Sequence, residues 1–260
     1  MSKTNDSPQT LRDWLSQEPF TLSLSAGFFG FYAHSGFLTA LEESGLRPIA
    51  VRGCSAGALV GGLWTSGRTT EDLSRVLLSV RRQDFWDPGF GLGLLKGDLF
   101  RQILERELGV VQFAHTELPF VVSVYDLVSR STKSLTEGKL APAIQASCTF
   151  PGLFHPVRIS GRLYIDGGVR DRAGHHGLMP GTRVLYHHLS SRSRTRKNIT
   201  HSMARIDENM VTLVCRGLPA VGPFHMERGL DAYNTAYEGF REALDAPVRE
   251  AAVMGFGPVQ

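Results

Sequence analysis

Ser55 is the residue with the clearest chemical potential. It is the centre of Gly53-Cys54-Ser55-Ala56-Gly57, the spacing G-x-S-x-G. A serine hydroxyl works as a nucleophile when a sharp turn between a strand and a helix lifts it clear of the backbone. Flanking glycines then remove the side chains that would collide in so tight a turn. The chemistry would be attack on an acyl carbon and cleavage of an ester through an acyl-enzyme. The flanks fit: residues 48–52 (PIAVR) read as a strand and 56–64 as a buried helix. The first N–H groups and positive dipole end of that helix would face the site.

Such an enzyme also needs donors for the oxyanion and a base for the serine. One donor would be the backbone N–H of Ala56. Others would come from the turn Ala26-Gly27-Phe28-Phe29-Gly30, which follows the strand pattern of residues 20–25 (FTLSLS). This turn has neither G-x-G-x-x-G nor G-x-x-x-x-G-K-[ST] spacing, so nucleotide binding is poorly supported. Nine histidines are present, but none stands in an evident catalytic loop. His34 and His155 read as structural, and the pairs His175-His176 and His187-His188 have diverging side chains. No third ligand sits at useful spacing, so no metal site is expected. The better base is Asp166 in Tyr164-Ile165-Asp166-Gly167-Gly168, where Gly167 and Gly168 could form a tight turn that aims the carboxylate. An ordinary aspartate, with a pKa near 3.9, is a poor base at neutral pH, but burial beside the serine would raise it. By itself, D-G-G is more often a plain hairpin turn.

The elements that must position these groups follow from pattern. The first 65 residues read strand–turn–helix–strand–turn–helix, the start of an α/β fold on a largely parallel sheet. Phe37, Leu38 and Leu41 share a helical face. Helices are expected over 70–80, 97–108 and 141–146. Strands are expected over 119–125, 131–135, 183–187 and 210–215, with a hairpin turning at Ser160-Gly161. A long amphipathic helix over 225–244 would bury Leu230, Tyr233, Tyr237, Phe240 and Leu244. Residues 85–95 are apolar but too rich in glycine for a regular element; they read equally as a substrate-facing lid or a packed connector. Residues 1–19 read as a loose N-terminal arm with a short helix, and 20–260 as one domain.

Composition narrows the class. A net charge of +3 over 260 residues does not imply nucleic-acid binding. The basic run with Arg192, Arg194, Arg196 and Lys197 reads as a solvated loop, with contact to an anionic membrane surface as the lesser reading. Three cysteines without a C-x-x-C pair argue against disulfides or zinc and for a reducing compartment. There is no secretory apolar run and no uninterrupted span of about 18 apolar residues. The expected location is the cytoplasm, with at most peripheral membrane contact. Nothing in the sequence specifies a protein partner.

Four pieces in order, SAGFFG, GCSAG, FPGLFHPV and YIDGGVRD, together resemble the patatin-like phospholipase family across residues 21–172. The resemblance implies a three-layer α/β/α sandwich with a mostly parallel central sheet and a Ser55–Asp166 dyad without catalytic histidine. It implies oxyanion N–H groups at Gly27 and Phe28, and hydrolysis of fatty-acyl esters of phospholipids or acylglycerols. It implies no metal or organic cofactor. One departure stands out. The family's common loop is G-G-G-x-[RK]-G. Here Ser25 and Ala26 replace the first two glycines and Phe29 replaces the basic residue. That is closer to the apolar form of the adipose-triglyceride-lipase branch, with Ala33 inserted before His34. The lost basic side chain leaves phospholipid and less charged esters both open. The competing readings are an α/β-hydrolase with a Ser–His–Asp triad, a catalytically silent lipid-binding protein on the same fold, and an acyltransferase.

Overall fold

The structure, a computed structural model, describes residues 8–189, 209–248 and 253–256. Its centre is a nine-stranded, mostly parallel sheet. The strands are β1 (Thr21–Leu24), β2 (Ala50–Cys54), β4 (Phe120–Asp126), β5 (Ser131–Leu135), β7 (Val157–Ile159), β8 (Arg162–Asp166), β9 (Val184–Leu189), β10 (Met210–Cys215) and β11 (Val253–Phe256). Their order is β11-β10-β9-β1-β2-β4-β8-β7, with β5 also on β4. The chain runs from β1 to β2 and β4 on one side, and later fills β9, β10 and β11 on the other. Carboxyl ends of strands at such a switch point are where open α/β sheets bind ligands. The turn after β1 and Ser55 after β2 both lie there.

The register on β4 brings distant residues together. β2 runs parallel to β4, with Cys54 opposite Ser123. β8 runs antiparallel, with Asp166 opposite Val124. β5 pairs with Val122 through Asp126, so β2 and β8 must share the other edge of β4. They meet head to head, and Ser55 and Asp166 leave their strands at that junction.

The helices are α1 (Leu11–Gln17), α2 (Phe31–Glu43), α3 (Ala56–Thr65), α4 (Thr70–Ser79), α5 (Asp98–Glu107), α6 (Leu140–Ser147) and α7 (Gly229–Leu244). One face of the sheet, through Leu22, Leu24, Val51, Val122, Leu185 and Leu213, joins them in the main core. A smaller cluster on the other face joins Val184, Tyr186 and Met210 to Ala173. Phe37, Leu38 and Leu41 are fully buried as expected. In α7 the buried stripe is instead Ala232, Ala236, Phe240, Ala243 and Leu244, while Leu230 is exposed. Small residues win there because α2 and α7 approach closely: a Cβ on Gly36 would lie 2.1 Å from the Tyr233 carbonyl oxygen.

Three local expectations are corrected. The arm is not loose over α1: Leu11, Trp14 and Leu15 enter the main core, and a Thr10–Asp13 capping box fixes the start. Residues 85–95 are not wholly irregular. Their last three form β3 (Gly93–Leu95), which pairs with β6 (Gly152–Phe154), because His155 N–H bonds the Leu95 carbonyl at 3.0 Å and the His155 ring bonds that of Gly93 at 3.0 Å. Gly53 belongs to β2, which leaves Ser55 as the entire turn. The Ser160-Gly161 turn has positive φ at both residues (47° and 81°), the backbone of a tight two-residue hairpin. The basic run at 192–197 lies outside the described residues.

Candidate active site

Ser55 sits between β2 and α3 with φ 53° and ψ −118°, a strained conformation for a residue with a side chain. The flanking glycines explain how the turn closes. A Cβ on Gly53 would lie 2.5 Å from the Gly57 carbonyl oxygen, and one on Gly57 would lie 2.1 Å from that of Leu24. Both contacts are backbone, so no side-chain adjustment could relieve them. The G-x-S-x-G spacing is therefore what lets α3 start directly on the ends of β1 and β2.

A residue that sequence reasoning missed holds the turn. Ser147, the last residue of α6, accepts a hydrogen bond from Ser55 N–H at 2.8 Å. Its hydroxyl donates to the Ser123 carbonyl at 2.7 Å. The side chain is fully buried. Ser147→Ala should leave both backbone groups unpaired and cost about 1–3 kcal/mol of stability, with a fall in kcat as the strained turn relaxes. Urea unfolding and steady-state kinetics check this; unchanged values in both would refute the latch.

Asp166 is buried at the end of β8. Burial raises its pKa to about 6, and the Ser55 hydroxyl, the Gly168 N–H, the Cys54 thiol and the Arg172 charge each pull it back. Gly168 N–H donates to Oδ1 at 2.7 Å, and the Cys54 thiol donates to the same oxygen at 3.9 Å. A Cβ on Gly167 would lie 2.4 Å from the Ser123 carbonyl oxygen, so the first glycine of the D-G-G turn is a steric requirement. Asp171, the last residue of YIDGGVRD, braces the turn. Its carboxylate accepts from the Ser123 hydroxyl at 2.7 Å and from the His175 and His176 N–H groups at 2.9 and 3.0 Å. Its own N–H bonds Gly167 O at 2.8 Å.

Gly27, Phe28 and Ala56 come together beside Ser55 on the wall of one cavity. Among the described residues, the Gly27 and Phe28 N–H groups have no hydrogen-bond partner, and Ala56 opens α3, where no intrahelical acceptor exists. Gly30 closes the turn by bonding the Gly27 carbonyl at 2.9 Å. His34 supports it from below. Its Nε2 donates to the Ser25 carbonyl at 2.8 Å, which leaves Nδ1 to accept from His187 Nδ1 at 2.8 Å. Burial holds His34 near a pKa of about 4 and His187 well below the usual histidine range, so the pair is neutral and structural.

The cavity measures about 470 Å³, within the range of small-molecule sites. Leu59 and Leu63 stand one and two turns along α3 from Ser55. Leu77 of α4 and Leu104 of α5 meet them at the buried end. Phe28, Phe150 and Val169 line the open end and are each 45% exposed or more. Phe85 and Trp86 also line it, so the start of the 85–95 segment forms wall. No histidine among the described residues lines the cavity, and no group of three His, Cys, Asp or Glu among them could hold a metal ion.

Residues 22–179 match the family described as patatin-like phospholipase. The chain belongs to that family. The match spans all four motifs from the end of β1 through the D-G-G turn, and the fold is patatin-like. An uncharacterised NTE family protein of Mycobacterium tuberculosis is 31% identical over 168 residues, 63% of this chain and 47% of that protein. Neuropathy target esterase sws of Drosophila melanogaster is 26% identical over 167 residues, 61% of this chain and 12% of that protein. The chain thus spans less than half the length of either relative. The crystal structure of VipD from Legionella pneumophila has the same fold, with a TM-score of 0.59 and 14% identity over 95% of this chain and 72% of VipD.

Proposed function

We propose that this chain hydrolyses fatty-acyl esters of phospholipids or acylglycerols, with Ser55 as nucleophile and Asp166 as general base. The observation that carries this reading is the convergence of the two side chains, from β2 and β8, on one apolar cavity whose described lining has no imidazole. That also favours a dyad over a Ser–His–Asp triad.

In this reading the acyl chain lies along Leu59 and Leu63, in the groove between α3, α4 and α5. Asp166 takes the Ser55 proton as Oγ bonds to the ester carbon. The carbonyl electron pair moves onto oxygen, where the N–H groups of Gly27, Phe28 and Ala56 stabilise it. Collapse breaks the bond to the alcohol, which leaves with the proton held by Asp166. Water then attacks the acyl-enzyme, Asp166 takes its proton, and the fatty acid departs as Ser55 regains a hydrogen. An acceptor alcohol in place of water would make the same site an acyltransferase.

The open end supports work at a lipid surface. Phe28 and Phe150 pack at 5.9 Å between ring centres. Exposed Phe224 lies nearby against Trp86, with the Arg82 guanidinium over both rings. An apolar rim with a cation suits peripheral contact with anionic lipid. No helix of the described residues is long and apolar enough to cross a membrane. The test is fatty-acid release from vesicles carrying phospholipid or acylglycerol. Release is expected, faster from lipid-presented esters than from short water-soluble ones. Lipid binding with no release from any substrate would instead support a silent lipid-binding protein.

A further inference from the structure

Residues 89–94 alternate glycine with a large apolar residue: Gly89-Phe90-Gly91-Leu92-Gly93-Leu94. They form a hairpin between Pro88 and Leu95, which pair as an antiparallel bridge. Gly89 N–H closes it by donating to the Leu94 carbonyl at 3.0 Å. The glycines meet the protein. A Cβ on Gly91 would lie 2.3 Å from the His155 ring, and one on Gly93 would lie 2.4 Å from the Phe154 carbonyl carbon. Gly89 rests on the Lys96 stem, where a Cβ would come within 2.7 Å. The large side chains face solvent: Phe90 is fully exposed, and Leu92 and Leu94 are 76% and 51% exposed. A loop on a water-facing surface ordinarily presents polar side chains and tucks apolar ones inward. Here that arrangement is inverted on a firmly held stem. Leu95 is fully buried, and β3 pairs with β6. The Asp87 carboxylate accepts from the Gly97 and Leu99 N–H groups at 3.0 and 3.1 Å.

The hairpin springs from the cavity wall. Trp86, two residues before Pro88, lines the cavity and packs on the exposed Phe224 ring. The partner strand β6 begins two residues after Phe150 of the open end. We propose that residues 88–95 are a membrane finger. Phe90 and Leu92 enter the acyl region of a lipid bilayer and seat the cavity mouth on it. Two observations select a bilayer over a protein partner. Three such side chains offer on the order of 500 Å², less than the roughly 800 Å² per partner of a stable protein interface. Residues 88–95 also contain no charged or polar side chain, so nothing in the tip orients a specific partner. Around the hairpin, Arg81, Arg82 and Lys96 are balanced by Asp84, Asp87 and Asp98. The finger therefore contributes by transfer of apolar surface and not by attraction to anionic headgroups. The inference deepens the proposed lipid hydrolysis and rests on it for what the bilayer delivers to Ser55.

The test is co-sedimentation with vesicles of diether phosphatidylcholine, which carry no ester and cannot be turned over. Phe90→Ser with Leu92→Ser should weaken partitioning about 10- to 100-fold, and equally at low and high salt. The exchange Phe90→Leu with Leu92→Phe keeps the apolar area and should bind like wild type. Neither residue lines the cavity. Turnover of a short water-soluble ester should therefore be unchanged in the serine variant, while release from ester-lipid vesicles falls. Unchanged partitioning of the serine variant would overturn the inference, as would wild type that stays in the supernatant. Loss of binding in the exchange variant would mean recognition of shape and also overturn it. A lipid-free dimer that the serine variant breaks, seen by sedimentation velocity, would place a second copy on the hairpin instead. If wild type binds the diether vesicles but releases no fatty acid from ester lipid, the hydrolase reading fails and the finger stands.

Discussion

Ser55→Ala is expected to lower kcat/KM for acyl esters by about 10³- to 10⁶-fold, the range seen when a nucleophile is removed from a catalytic unit. Asp166→Asn should cause a loss of similar order, and the double variant should be little worse than either single one. Residues that act in one step are not additive. The structural basis is the junction on β4, where Cys54 faces Ser123 and Asp166 faces Val124. Each side chain leaves its strand where the other strand stops. Ser55→Ala should also remain folded, because Ser147 grips the Ser55 backbone N–H and the alanine keeps that group. Kinetics on a lipid ester together with thermal unfolding check both statements. Additive losses in the double variant would separate the two residues mechanistically.

The second large effect joins catalysis to stability through Asp166. Its pKa is raised to about 6 from 3.8, chiefly by burial. As a base it must be ionised, so kcat/KM should rise with pH and level off above about 6. Folding responds in the opposite sense. Below about 4 the carboxyl is protonated in both folded and unfolded chains. Between about 4 and 6 the unfolded chain releases the proton while the folded chain retains it, so stability falls as pH rises, then stays lower. The difference corresponds to about 3 kcal/mol. Asn keeps an oxygen for the Gly168 N–H and carries no charge. Asp166→Asn should therefore be inactive and more stable than wild type at pH 7–8, by up to about 3 kcal/mol, with the gain vanishing near pH 4. Urea unfolding across that range measures it. A variant less stable than wild type at pH 8 would contradict the burial argument.

The sequence carried the local parts of this site well. G-x-S-x-G is a steric statement about adjacent backbone, and the close contacts at Gly53 and Gly57 are its structural counterpart. The D-G-G turn is similar: Gly167 packs on the Ser123 carbonyl. Strand alternation and helical spacing located β1, α2, β2 and α3 within a few residues. What stayed hidden depends on pairing between distant segments. Nothing local in β8 tells that it replaces β2 along the edge of β4. Ser147 looks like any serine at the end of a helix until Ser55 and Ser123 arrive on either side of it. β3 and β6 are three residues each, and their pairing outweighs glycine content that argues against strands. One miss was avoidable. Leu11, Trp14 and Leu15 are spaced for a buried helical face, and Thr10 with Asp13 signals its start, but the polar residues around them suggested a loose arm.

The most direct measurement of the central claim is active-site labelling with a fluorophosphonate, followed by peptide mapping. The probe reports whether one serine is activated, whatever lipid is the true substrate. The wild-type chain should take up one label at Ser55, faster as pH rises through about 6, and Asp166→Asn should label at a small fraction of that rate. Labelling at another serine, or equal labelling of Ser55 in wild type and Asp166→Asn, would contradict the Ser55–Asp166 dyad.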